Sequence, residues 1–292
     1  NLTRLPVTVE VASEFRYKNP ILDSEDLAIF ISQSGETADT IASIELVKER
    51  NIKFLSIVNV KESTIDRMSD NVIYTKAGPE IAVASTKAYV AQVCAIDLFA
   101  IYMARLLKKV DENYLNELTR DLKNIHDKVQ IVLEKDEEYL EYAKLIQNDK
   151  DVFYLGRGLD YYTALEGSLK LKEISYIHSE AVQFGELKHG PIALIENGTH
   201  AIVICTSKEL MGKVISNVKE IKARGANVLV ITDQSDFPEE IYDEIIEIPA
   251  VNELLSPIVS VIPLQLIAYH VTVLKDLDVD KPRNLAKSVT VE

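Results

Sequence analysis

Four stretches of the 292-residue sequence combine side chains that could do chemistry. The first is SQSGET, Ser32 to Thr37, between the apolar run LAIFI (27–31) and a helical stretch. It places Ser32, Gln33, Ser34 and Thr37 around a glycine, beside the free amides of a helix start. A doubly wound sheet holds phosphate in this way, at the carboxyl ends of its strands. A plain N-cap needs only one hydroxyl, so the excess favours an anion. The second stretch, VASTKA (83–88), carries Val83, Ser85, Thr86 and Lys87 at the start of a long helix. Ser85 and Thr86 are natural caps, and capping alone explains them equally well. The third runs from Ala164 to Pro191, ALEGSLKLKEISYIHSEAVQFGELKHGP. On a helix, Glu166, Lys170 and Glu173 share one stripe. A salt-bridged surface stripe would look the same. With His189 in the glycine-bounded loop GELKHGP, the stripe would supply an acid/base set near a phosphate. The fourth is the tail KPRNLAKSVTVE (281–292). Its Lys287 could close over a site, or the tail could fray.

These residues need a scaffold, and the hydrophobic pattern supplies one. LAIFI precedes a helix at 38–50, then FLSIVN (54–59), a short helical segment, NVIYT (71–75) and a helix over about 85–109. Buried apolar strands alternating with helices predict an α/β fold with parallel sheets. The order recurs: AIVIC (201–205), a helix at 209–225, NVLVIT (227–232), EIIEIPA (244–250) and a helix after Ser256. The matching spacings predict two copies of one doubly wound, three-layer α/β/α unit, flavodoxin-like, offset by about 174 residues. The second copy has an earlier strand, VFYLG (152–156), ending in Gly-Arg-Gly and leading into a helix at 160–177. Its counterpart would precede residue 1, so the first copy reads as truncated at its N-terminus by about 22 residues. In the second copy CTSKE replaces SQSGET and lacks its glycine, which predicts one phosphate site per chain. A charged helical stretch at 111–150 joins the copies, and its second helix is expected to cap the second one. The expected boundaries are 1–109 for the first domain, 110–279 for the connector and second domain, and 280–292 for the tail.

Composition narrows the partners. A net charge of −14 argues against nucleic acid. Cys94 and Cys205 lie in apolar runs and read as buried free thiols of a reducing, cytoplasmic compartment. The histidines have no metal spacing, so neither metal nor cofactor is expected. Residues 254–274 lack any Asp, Glu, Lys or Arg and are long enough to span a bilayer. Their prolines, Gln265 and His270 fit a buried core helix better, so no membrane is expected.

Taken together, ASEFRY (12–17), SQSGETADT (32–40), VASTKA, GRG (156–158), the 164–181 motif, GELKHGP and the tail resemble the isomerase region of the glucosamine-6-phosphate synthase family. That region has two sugar-isomerase (SIS) domains. The resemblance implies fructose 6-phosphate, glucosamine 6-phosphate and glucose 6-phosphate as ligands. It implies that Ser32, Gln33, Ser34 and Thr37 bind the sugar phosphate while Val83 and Ser85 line the sugar site. Glu173 would move a proton between C1 and C2, assisted by Lys170, with Glu166 in the site wall. His189, donated across a homodimer, would open the ring, and Lys287 would form a Schiff base at C2. The family's glutaminase domain, its first SIS strand and its Cys-Gly-Thr-Ser phosphate loop have no counterpart in this sequence. A sugar-phosphate-binding regulatory module or a related SIS deglycase is the alternative.

Overall fold

The computed structural model describes residues 1–288. The end of the tail motif, residues 289–292, lies outside them. The chain divides into two compact units: residues 1–116 with the tail from Arg283, and residues 117–282.

Unit 1 contains α1 (Ala12–Phe15), β1 (Leu27–Ser32), α2 (Ala38–Glu49), β2 (Lys53–Val58), α3 (Thr64–Met68), β3 (Val72–Tyr74) and α4 (Lys87–Leu107). Its three strands are parallel in the order β1-β2-β3. Phe30, Ile44, Val47, Phe54, Val58 and Ile65 form the core on one face, with Phe30 edge-on to Phe54 at 5.9 Å. β2 is buried after its first residue, as a central parallel strand should be. β1 differs from the sequence expectation, because Leu27, Ile29 and Ile31 are exposed. Its outer edge has no paired strand among the described residues.

α5 (Glu112–Lys123) leads into unit 2, which holds α6 (Ile125–Leu133), α7 (Asp136–Ile146), β4 (Asp151–Gly156), α8 (Leu159–Ser175), β5 (His178–Gln183), β6 (His200–Cys205), α9 (Met211–Lys222), β7 (Asn227–Thr232), β8 (Glu244–Glu247) and α10 (Ser256–Leu274). The sheet is parallel throughout in the order β5-β4-β6-β7-β8, the flavodoxin-like winding. Here β6-β7-β8 repeat β1-β2-β3. The first residues of β2 and β7, Lys53 and Asn227, stand at the 174-residue offset.

The uncharged stretch ending at Leu274 is α10, a core helix packed on α8, α7 and α6. Ile258, Val259, Leu264, Ile267 and Val271 are buried, and Ser260 and Thr272 return their hydroxyl protons to carbonyls one turn back. A helix enclosed over most of its surface is apolar on nearly every side, and here Tyr269 and Val273 mark the exposed remainder. Gly167 lets α8 approach this closely, since a Cβ there would meet Leu264 Cδ1 at 2.6 Å.

α4 is the second helix long and apolar enough to cross a membrane, by length and composition alone. Within the unit only part of it is covered: Ile96, Leu98, Tyr102 and Leu106 stay exposed. Asp97 on the same helix is partly buried, and desolvation pushes its carboxyl up to about 7. A raised acid pKa means stability is fully present below the unfolded value and declines as pH rises to the folded one. Unit 1 is therefore expected to lose stability between pH ~4 and ~7 through this group. Asp97→Asn should remove that loss and gain on the order of 2 kcal/mol at pH 8. Urea unfolding of both proteins at pH 5 and pH 8 checks it: the gain should be absent at the lower pH.

Candidate active site

In unit 1 the SQSGET loop leaves β1 and enters α2. Ser32, at the strand's last position, is buried. Its Oγ accepts from the Gly35 amide at 3.0 Å and lies 3.1 Å from Thr37 Oγ1. Ser34 Oγ accepts from the Glu36 amide at 3.2 Å. The Thr64 amide, at the start of α3, donates to Glu36 Oε1 at 2.8 Å and, as the main cause, lowers that carboxyl's pKa. Thr37 is the N-cap of α2, yet its side chain makes no capping bond. Its hydroxyl is turned toward Ser32 instead, so the plain-cap account fails at this loop. The first-turn amides of α2 remain for an anion, in the partial positive field of the helix start.

Gly35 has φ +68° at the tip of the loop, and a Cβ there would run into the Ser63 side chain. Gly35→Ala is expected to cost about 1–3 kcal/mol through left-handed strain, before any clash. It should also weaken binding of inorganic phosphate, because the turn that aims the amides is disturbed. Calorimetry of melting and of phosphate binding measures both effects.

VASTKA opens α4, but Thr86, its N-cap, makes no side-chain cap. Ser85 instead receives a contact from the tail: Lys287 Nζ lies 3.3 Å from Ser85 Oγ and donates to the Ala82 carbonyl at 2.7 Å. Val83 is half-buried beside them. Thus Val83, Ser85 and Lys287 come together within unit 1, although the loop and the lysine lie about 200 residues apart in sequence.

Unit 2 holds the acid/base stripe. Lys170 is buried on α8, with Nζ 2.6 Å from Glu173 Oε2 and 3.5 Å from Glu166 Oε1. The surface-stripe account therefore fails as well: two carboxylates share one buried ammonium. Burying this charge is costly for folding, so the cluster is poor material for stability alone. Glu173 is its most open member, at 22% side-chain exposure against 10% for Glu166. Its carboxylate can therefore meet an incoming carbon acid. His189 ends a short 3-10 turn, Leu187–His189, and is exposed. Among the described residues its ring has no hydrogen-bond or ion-pair partner within the chain.

The second copy of the phosphate loop is filled from inside. Thr206, just past β6, donates its amide to Asp160 Oδ2 at 2.9 Å and its hydroxyl to Asp160 Oδ1 at 2.6 Å. Burial pushes the Asp160 carboxyl up to about 6 against these bonds. A carboxylate of the protein occupies the donors that a phosphate would need. The sequence reading missed Asp160, whose place in GRGLD gives no signal for a partner in a later strand. It also missed Glu80, which lies against Lys287. Both cysteines are free thiols, but only Cys205 is fully buried; Cys94 is half-buried on α4. Burial pushes their pKa values up to about 12 and about 11.

The SIS domain matches residues 1–102 and 145–275, which cover both phosphate-loop copies and the α8 stripe. The chain belongs to the SIS family. Among solved SIS structures, the C-terminal domain of glucosamine-fructose-6-phosphate aminotransferase from Francisella tularensis is 39% identical, with a TM-score of 0.93. The match covers 96% of this chain and 80% of that one. Glucosamine-6-phosphate deaminase from Thermotoga maritima, at 24% identity and TM-score 0.76 over 95% of this chain and 80% of that one, shares the SIS fold. Among curated relatives, glutamine–fructose-6-phosphate aminotransferase [isomerizing] of Clostridium tetani is 52% identical over 292 residues. That of Thermococcus kodakarensis is 48% identical over 290. These alignments take in 100% and 99% of this SIS chain but 48% of each relative. The chain thus spans about half the length of the curated relatives it matches.

Proposed function

We propose that this chain is the isomerase portion of a glutamine–fructose-6-phosphate aminotransferase, active in amino-sugar synthesis. It would convert fructose 6-phosphate to glucosamine 6-phosphate, with ammonia supplied by a glutaminase domain in the full-length enzyme. The observation that carries this reading is the docking of Lys287 on the Ser85 loop. A primary amine on a C-terminal tail is held over the unit that carries the anion-binding loop.

In this reading the α2 amides, with Ser32, Gln33, Ser34 and Thr37, bind the phosphate. His189 of a second subunit opens the furanose ring by moving the proton of the anomeric hydroxyl. The Lys287 amine, once deprotonated, attacks C2, the carbonyl oxygen leaves as water, and an iminium forms. Ammonia adds at C2 and displaces the lysine. Glu173 then takes a proton from C1, exchanges it with solvent and delivers a proton to C2, leaving an aldehyde at C1 and an amine at C2. Lys170 stays charged between Glu173 and Glu166 and steadies the oxygens of the enolamine intermediate. The exposed, unpartnered His189 ring supports the homodimer, and the two free thiols support a cytoplasmic setting.

The test is glucosamine 6-phosphate formation from fructose 6-phosphate and ammonium chloride in deuterated water, followed by NMR. Deuterium at C2 of the product is expected. Binding of the sugar with neither product nor exchange would instead identify a regulatory sugar-phosphate module.

A further inference from the structure

The loop before α4 and the C-terminal tail are joined by a carboxylate that the site described above does not use. Glu80 is deeply buried, with its side chain only 4% exposed. One oxygen, Oε1, accepts from the Thr86 amide at 2.9 Å and so ties the loop to the start of α4. The other, Oε2, is buried without a hydrogen-bond partner and lies 3.5 Å from Lys287 Nζ. A second strap closes the same loop, where Lys87 Nζ donates to the Pro79 carbonyl at 2.6 Å.

A carboxylate this far from water needs a countercharge. The cation against Glu80 Oε2 is an amine on the tail. The ammonium of Lys287 in turn meets three oxygens of one loop: Ala82 O, Ser85 Oγ and Glu80 Oε2. Only the last carries a full charge. The tail therefore stays seated chiefly because removing it would strand a buried charge.

We propose that Glu80 is a positioning residue, a latch that seats the C-terminal tail on the 80–85 loop and so delivers the Lys287 amine to the sugar. The catalytic half of this statement rests on the Schiff-base reading of Lys287; the latch itself does not. When the Lys287 nitrogen gives up a proton to attack carbon, the charge facing Glu80 is lost for that step, and it returns in the iminium, a cation with one N–H. Glu80 acts before covalent bond formation, by presenting the amine.

Glu80→Gln separates the two roles of this side chain. The amide oxygen can still accept from Thr86, so the loop keeps its tie to α4, but the charge facing Lys287 is lost. The first measurement needs no substrate. Limited trypsin digestion of the whole chain, with cleavage after Arg283 and Lys287 followed by mass spectrometry, reports how often the tail lifts. Cleavage in the variant is expected to be about tenfold faster, as loss of a close charge–charge contact in a buried setting implies. The second measurement is borohydride trapping of fructose 6-phosphate on Lys287. Its rate should fall about tenfold, with KM for the sugar within about twofold, because the phosphate is held elsewhere. Equal tryptic rates for both proteins would overturn the latch, whatever the trapping shows. Faster cleavage with no adduct on the unsubstituted chain would leave the latch standing and overturn the Schiff-base reading. Faster cleavage with unchanged trapping would overturn the delivery role. If the melting temperature of Glu80→Gln drops sharply, Glu80→Asp keeps the charge on a shorter stem and is expected to restore slow cleavage.

Discussion

Glu173→Gln should leave fructose 6-phosphate bound and bring its C1 proton to rest. Exchange with solvent deuterium is expected to fall by about a thousandfold, within the range that positioned general bases contribute. Sugar affinity should change by less than about threefold, because the anion loop lies on other elements. The substitution is nearly isosteric, so packing on α8 survives. What changes is charge: Lys170 Nζ loses the carboxylate at 2.6 Å and keeps Glu166 at 3.5 Å. A buried ammonium that retains one carboxylate still has a partner, so the protein should remain folded. Glu166→Gln is the control. It alters the same ion-pair cluster at the more enclosed end, and exchange should fall far less. Proton NMR of the sugar C1 position in deuterated buffer reads both variants. Exchange at the unsubstituted rate in Glu173→Gln would place the base on another residue.

That contrast depends on which way the stripe faces, and here the sequence and the structure part. Helical spacing already placed Glu166, Lys170 and Glu173 on one line. It could not tell a surface line from a buried one, because α8 buries Ala164, Ser168 and Leu171 on its other sides as well. The direction is decided by Gly167 and Leu264, a contact across nearly 100 residues. The apolar runs located the strands of both sheets except β5. Its sequence, HSEAVQ, pairs with β4 alone and has only Ala181 and Val182 apolar among polar residues, so no continuous run announced it. LAIFI shows the opposite failure: its composition predicts a strand buried on both sides, and its outer edge is open among the described residues. The chemistry of the SQSGET loop was legible because every group lies within six residues. Asp160 and Glu80 were not. Their partners, Thr206 and Lys287, are brought in by the winding of the chain, and a carboxylate alone carries no mark of who will face it.

Lys287 is where that long-range placement has the largest predicted consequence. Lys287→Ala and Lys287→Arg should each lower glucosamine 6-phosphate formation by more than about a thousandfold. Arginine is the sharper test. Its guanidinium can still reach the Ala82 carbonyl, Ser85 and Glu80, so the tail stays paired, but it stays protonated and cannot attack a carbonyl. If the role of Lys287 were only to hold the tail by charge, arginine would preserve much of the rate and alanine would not. If the role is nucleophilic, the two variants fail alike. Two other lysines of the candidate motifs are committed to other partners: Lys170 between two carboxylates and Lys87 on the Pro79 carbonyl. Reduction of the chain with borohydride in the presence of fructose 6-phosphate should therefore add one hexitol phosphate, on the peptide containing Lys287, and none in either variant. An adduct of undiminished yield in Lys287→Arg would move the nucleophile to another lysine and leave the tail as a lid held by its charge.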